Sequence, residues 1–165
     1  MEKETLVQLN SIYKPLWEKS GEICQNLLER GYAVTSGFYN NHSIKIDGSY
    51  VTEYFPIPVV TVKGVGDADY ISSIGIDVDS IWFEVVLSKE NMLSQNFETL
   101  VQEHNIEIYG VENYLDDIYC AGGNPSEIAV NIANSNETHF CITFYLEQNV
   151  NFDDILNIMS WGRVP

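Results

Sequence analysis

The sequence has 165 residues and is strongly acidic, with 24 aspartates and glutamates against 8 lysines and arginines and a formal net charge of −16 at pH 7. A charge of this sign repels phosphate backbones and anionic lipid, so nucleic acid and membrane surfaces are excluded as expected partners. The length suits one domain with its own core, and a hydrophobic content of 45% excludes a disordered acidic tail.

The acidic residues are concentrated in the C-terminal two thirds of the chain. From Gly64 to Gly162, seventeen acidic residues accompany one basic residue, Lys89, whereas the preceding segment is nearly balanced, with seven acidic and six basic residues. A localised acidic surface attracts cations and basic protein surfaces. We therefore expect the partner, if there is one, to be a basic protein or a cation.

Cysteine use and the N-terminus bear on the compartment. Cys24, Cys120 and Cys141 are odd in number and widely spaced, which fits neither a disulfide framework nor a Cys-x-x-Cys metal site. The N-terminus lacks the features of a signal peptide, and no segment has the apolar length of a membrane span. We expect a cytoplasmic protein with reduced thiols.

The first predicted element is a long helix. Apolar residues recur at helical spacing from Leu6 to Leu28, and Gly31 is a natural C-terminal stop. Pro15 interrupts this pattern, so the sequence allows either one kinked helix or a short helix ending near Tyr13 followed by a second one. The apolar stripe keeps its phase, which predicts packing against a sheet.

Short β-rich segments follow and suggest an antiparallel meander: Tyr32 to Thr35, Ser43 to Ile46, Tyr50 to Phe55, Val59 to Val65 and Ser73 to Leu87. In the last segment, apolar residues occupy even positions up to Val78 and odd positions from Ile81. Since a slip of one residue turns a strand over, a turn or bulge is required near Asp79 and Ser80.

The remaining third alternates helices with strands. Asn96 is the predicted N-cap of a helix that contains Phe97, Leu100, Val101 and His104. The residues from Ile106 to Tyr109 are typical of a strand. A further short helix is indicated by Val111, Tyr114, Leu115 and Ile118. Residues 125–134 are ambiguous. Asn124 and Pro125 resemble a helix start, but Ile128, Val130 and Ile132 alternate as in a strand, which we favour slightly.

The C-terminal elements carry the clearest signals. Thr138 to Glu147 is the strongest strand and is expected to be central, and Asn151 caps a closing helix with Asp153 and Asp154 in its first turn. The fold class is therefore predicted as α+β, a single domain over residues 1–165 whose mostly antiparallel sheet packs against an N-terminal helix and C-terminal helices.

Carboxylate pairs are the candidate metal ligands. Asp67 and Asp69, and likewise Asp77 and Asp79, each place two carboxylates on one side of an extended segment, and oxygen clusters of this type bind Ca²⁺ or Mg²⁺. Neither pair matches a complete calcium-binding loop, and solvated polar positions explain them equally well. No organic cofactor is predicted.

Nucleophile and acid motifs are weak. His139 and Cys141 share a strand face, but side chains two residues apart point in parallel, and Cys141 reads as a core residue. Cys120 precedes a glycine-rich loop, where a thiol could be exposed and reactive. Glu84 is either a solvated sheet position or an acid with a raised pKa in a cleft. No phosphate loop, nucleophile elbow or zinc motif is present.

Three functional hypotheses follow. The first is a non-enzymatic protein that binds a basic protein, as an immunity protein binds a nuclease, with predicted contact residues Tyr114, Asp116, Asp117, Tyr119 and Trp161. The second is a small domain or enzyme that binds a ligand or divalent cation through carboxylates around Asp67 to Glu84. The third is a homo-oligomer, which mutual repulsion opposes unless the acidic surface lies away from the interface. The sequence leaves the oligomeric state open.

Overall fold

The computed structural model describes residues 3–46, 49–67, 72–113 and 117–161. In these ranges there are five α-helices: α1 (Lys3–Glu29), α2 (Lys89–Leu93), α3 (Phe97–Glu103), α4 (Ile128–Asn134) and α5 (Phe152–Trp161). A single 3-10 turn, Pro125–Glu127, precedes α4. The strands are β1 (Val34–Ile46), β2 (Ser49–Val62), β3 (Ser72–Ile76), β4 (Ser80–Ser88), β5 (Asn105–Gly110), β6 (Asp117–Tyr119) and β7 (His139–Glu147).

The seven strands of the described ranges join one sheet in the order β1-β2-β3-β4-β7-β5-β6, and every neighbouring pair is antiparallel. The predicted α+β class with a mostly antiparallel sheet is therefore confirmed. So is the inner position of β7, which pairs with β4 on one side and β5 on the other. Its residues Phe140, Ile142 and Phe144 are fully buried.

One hydrophobic cluster fills a single side of the sheet. It joins alternate residues of the strands, such as Ile74, Phe83 and Ile142, to buried residues from each of the five helices, such as Leu27 of α1 and Met159 of α5. Because successive side chains of a strand point to opposite faces, all five helices lie on the same face. The molecule has two layers, and the second face of the sheet carries none of these helices.

The N-terminal helix is continuous through Pro15. The alternative of two separate helices is thus wrong. Pro15 lacks the N–H that would bond to the Ser11 carbonyl four residues earlier, but both residues are exposed, so water can satisfy that carbonyl. Leu16 and Ile23, on the buried side, keep the helix packed against the sheet.

The meander was predicted correctly in kind but with too many breaks. The segments expected at 32–35 and 43–46 fall in one strand, β1, which begins only at Val34; those at 50–55 and 59–65 fall in β2, which ends at Val62. The expected turn before Ser80 is confirmed: the Asp77 N–H donates to the Ser80 carbonyl at 2.9 Å, and burial alternates along β4 with the odd positions inside.

Two predictions in the last third are wrong. Ile118 lies in β6, not in a helix, because Ile108 and Tyr119 pair across β5 and β6; Tyr114 and Leu115 lie outside the described residues. Residues 125–134 are helical. The Asn124 side chain accepts the Ser126 N–H at 3.1 Å, and Ile128 and Ile132, one turn apart, are buried while Val130 is exposed.

The closing helix was predicted correctly. The Asp154 N–H donates to Oδ1 of Asn151 at 2.9 Å, which makes Asn151 the N-cap of α5. Ile155 and Met159 are buried in the core. None of the helices in the described ranges combines the length and apolarity that crossing a membrane requires.

Candidate functional site

The face of the sheet opposite the helices, which we call the open face, holds the candidate site. Strand register brings its side chains into rows, because directly paired residues share a face. One row runs through Gly75, Trp82 and Tyr145, and the next through Ser73, Glu84, Thr143 and Glu107. The strands β3, β4, β5 and β7 contain no lysine or arginine, so acidic and aromatic side chains dominate these rows.

Trp82 lies flat on the backbone of Gly75. A Cβ atom built on Gly75 would be 1.9 Å from Cε2 and 2.0 Å from Cζ2 of the indole, far inside van der Waals contact. Only glycine leaves this space for the ring. The neighbouring strand thus supplies a platform that fixes Trp82 beside the site.

A cavity of about 550 Å³ opens on this face. Its lining combines apolar with polar side chains and includes Ile57, Val59, Ser73, Asp77, Trp82, Glu84 and Tyr145. Ile57 and Val59 are buried although they do not belong to the hydrophobic cluster under the helices. The size and mixed lining are those of a small-ligand or side-chain pocket.

Glu84 is the central acid of the cavity. Burial raises the pKa of its carboxyl group, and hydrogen bonds from Tyr109, Thr143 and Ser73 oppose that rise. The Tyr109 hydroxyl lies 3.3 Å and the Thr143 hydroxyl 3.4 Å from Glu84 Oε1. The sharper of the two expectations for Glu84, an acid in a cleft with a raised pKa, is therefore the one that the geometry supports.

The neighbouring groups act as hydrogen-bond donors. Burial raises the pKa of the Tyr109 and Tyr145 hydroxyls, and Tyr145 donates to Glu107 Oε2 at 3.0 Å. Burial also raises the pKa of the Cys141 thiol to about 12, so it stays protonated and is not an activated nucleophile. The arrangement can therefore hold a cation against carboxylate and aromatic groups.

Similarity to other proteins extends over most of this chain. A family model described as "Protein of unknown function (DUF3201)" matches residues 7–158. The chain belongs to this family. Its structure is similar to that of a conserved hypothetical protein from Pyrococcus furiosus, with a TM-score of 0.68 and 24% identity over 99% of this chain and 97% of the other. At that identity the likeness supports the fold alone. No curated protein matches.

Three of the four carboxylates predicted as metal ligands in this DUF3201 chain are described, and Asp67 lies far from Asp77 and Asp79. Asp67 stands beside Ser88, whose N–H it accepts, and its Oδ1 accepts the Asn91 amide at 3.1 Å, so it anchors the start of α2. Asp77 and Asp79 lie in the turn before β4, at the other end of that strand. Ser80 and Ser88 span about 27 Å at the usual rise per residue.

Asp69, the fourth of these carboxylates, lies outside the described residues. Within the described ranges, no group of three or more histidine, cysteine, aspartate or glutamate side chains is placed to hold a metal ion.

The predicted partner-binding residues are only partly placed. Tyr114 and Asp116 lie outside the described residues; Asp117 and Tyr119 lie on β6 at one edge of the sheet, and Trp161 ends α5. Tyr119 is half-buried beside a second hollow of about 410 Å³, which Val101, His104 and Gly122 also line. Since only three of these five residues are described, their predicted role in partner binding stays a prediction.

Two acidic residues at the end of the DUF3201 sheet, Glu112 and Glu137, form a pair that the sequence did not reveal. Glu137 is 3% exposed and covers Gly110, and its Oε2 accepts the Glu112 N–H at 2.9 Å. In return, Glu112 accepts the N–H of Thr138 at 3.3 Å and its hydroxyl proton. Burial raises the pKa of Glu137, and hydrogen bonds from Glu137 and Thr138 lower that of Glu112.

This acid pair also engages His139, whose Nδ1 is 3.6 Å from Glu112 Oε1. The imidazole thus lies near a carboxylate across the loop, and Cys141 is buried further along the strand. The pair ties the segment after β5 to the start of β7. Glu112 and Glu137 are twenty-five positions apart in sequence, so no local pattern could have shown that they pair.

Proposed function

We propose that this protein binds a basic segment of a partner protein on its open face, with a lysine or arginine side chain entering the cavity beside Glu84. The observation that carries this proposal is a partly desolvated carboxylate in a cavity walled by Trp82 and Tyr145. An aromatic wall attracts a cation through its π face, and a carboxylate pairs with it directly.

The distribution of charge supports a basic partner. The net charge of −16 creates a long-range attraction for positive surfaces and speeds their encounter. Glu107 and Asp77 flank Glu84 on the open face, and both extend the negative potential around the cavity. Raising the salt concentration should therefore weaken binding.

The raised pKa of Glu84 fits a binding role. When no cation is bound, ionisation of a partly desolvated carboxylate costs free energy, and a bound cation offsets that cost. Binding should accordingly lower the pKa of Glu84, and affinity should increase as pH rises until the free carboxylate is fully ionised.

The test measures binding of a short extended peptide that carries a single arginine, with the same peptide carrying citrulline as the uncharged control. We expect calorimetry or NMR titration to show binding of the arginine peptide that Glu84→Gln weakens by about tenfold or more. The matched control is Glu98→Gln, which removes the same charge from an exposed position on α3. Equal losses in the two variants would overturn the assignment of Glu84.

A small organic cation is the second candidate, favoured by the cavity volume of about 550 Å³. Small-ligand pockets range from about 300 to 1,000 Å³. A diamine titrated in the same assay distinguishes the two. Tight, saturable binding of the free diamine with no added affinity for an extended peptide favours the small ligand, and the reverse favours the protein partner.

A further inference from the structure

The free edge of β1 is a second unexplained feature; it adjoins the open face, since Phe38 of this edge also lines the cavity beside Glu84. β1 ends the sheet and pairs only with β2 among the described strands. Its register with β2 is regular from Val34 to Tyr39 and shifts beyond Tyr39, on either side of His42. A regular stretch of this length matches a typical strand, so it can accept another strand.

One hydrogen bond between β1 and β2 shows which residues of β1 point their backbone N–H and C=O groups toward the free edge. The Lys63 N–H donates to the Ala33 carbonyl at 3.0 Å, so Ala33 and Lys63 form a hydrogen-bonded pair. In an antiparallel ladder such pairs alternate with pairs whose N–H and C=O groups point away. Val34, Ser36 and Phe38 therefore direct their backbone groups outward. Pro58 stands opposite Phe38, as expected at a pair that needs no N–H between the strands.

Charge makes this edge unusual in the protein. No acidic residue occurs from Arg30 to Ile46, and the hairpin from Arg30 to Lys63 carries three basic and two acidic residues, a net charge of +1 in a chain of −16. Two copies of this acidic chain repel one another over most of their surfaces, but the β1 edge carries no net negative charge that would add to this repulsion. The edge also lacks the proline or lysine that often protects free strands between Val34 and Tyr39, and Phe38 is 63% exposed.

We propose that two copies of this chain associate through antiparallel pairing of their β1 edges. Antiparallel pairing of identical strands places the two-fold axis perpendicular to the sheet, so both open faces lie on the same side of one continuous sheet. The two Phe38 side chains lie on the interface, where they lose contact with water. One strand pair buries less area than a stable obligate dimer, so we expect dissociation constants of about 10 to 500 µM.

The test is sedimentation equilibrium of the full chain over a range of concentrations. We expect the mass to rise toward twice the 18.7 kDa of one chain, and the dimer to strengthen with salt because salt screens repulsion between two acidic molecules. This is the opposite of the salt dependence expected for the basic partner, so failure of one proposal is distinguishable from failure of the other. A single 18.7 kDa species at every concentration and salt level would overturn the dimer.

Two variant pairs locate the interface. Ser36→Pro removes an outward N–H and should abolish dimerisation, whereas Ser36→Ala keeps that N–H and should leave it unchanged. Because a proline could also unfold the strand, Phe38→Glu provides a second probe by placing a charge on the acid-free edge. Val130→Glu adds the same charge at a 56% exposed site on α4 and is its control. Dimerisation that persists in Phe38→Glu would contradict the proposed edge.

Discussion

Gly75→Ala tests the platform on which Trp82 rests. The new methyl group would lie 1.9 to 2.5 Å from three atoms of the indole, against the roughly 3.5 to 4.0 Å of an ordinary carbon contact, so the ring must move by about 1.5 Å or more. Overpacking of this kind costs about 1 to 3 kcal/mol, and the lower entropy of unfolded alanine offsets about 0.4 to 1 kcal/mol. We expect a net loss of about 1 to 2 kcal/mol in the free energy of unfolding.

Urea denaturation measures this loss, and the near-ultraviolet circular dichroism of tryptophan reports displacement of the ring. Gly21→Ala is the control: nothing lies within 4 Å of the corresponding Cβ position, and alanine at an exposed helical site should stabilise by about 0.5 to 1 kcal/mol. The peptide affinity should also fall in Gly75→Ala, since the indole walls the cavity. A Gly75→Ala protein with unchanged stability and an unchanged tryptophan spectrum would refute the stacked geometry.

Three other predictions concern separate parts of the molecule. Because burial raises the pKa of Glu84 in the folded state, stability falls as pH rises from the unfolded value of 4.5 through the folded pKa. Glu84→Gln should therefore raise the urea midpoint at neutral pH and not below pH 4.5, and a gain that is independent of pH would contradict this cause. Asn151→Ala removes the cap of α5 and should cost about 0.5 to 2 kcal/mol in the same assay; an unchanged midpoint would mean that the cap contributes nothing. A thiol reagent should label exposed Cys120 quickly and buried Cys141 only on unfolding, and rapid loss of both thiols in the native protein would contradict the packing.

The sequence predicted the elements whose signals are local. The phase change between Ile76 and Ile81 required a turn, and the Asn151 cap marked the start of α5; both are found. Where two local signals competed, the wrong one was favoured. Ile128, Val130 and Ile132 alternate like a strand, but the Asn124 cap and burial four residues apart make the segment helical.

The site could not be predicted because it depends on strand order. Glu84 gains its partners from strands far along the chain: Thr143 lies on β7, which pairs with β4, and Tyr109 lies on β5, the next strand beyond β7. The path of the chain also separates the two predicted carboxylate pairs from each other. Asp67 and Asp77 are ten positions apart in sequence but stand at opposite ends of β4, because β3 runs alongside β4 between them.

Along β4, alternate side chains serve different purposes: the odd positions face the core and the even positions face the open side of the sheet. Ile81, Phe83 and Val85 belong to the core cluster under the helices, whereas Trp82, Glu84 and Val86 do not. If the open face binds a partner as we propose, a substitution at the second set would alter what it binds while the first set keeps the protein folded. Members of a family built this way could acquire different ligands without rebuilding their interiors, and specificity could change by single steps on a constant scaffold.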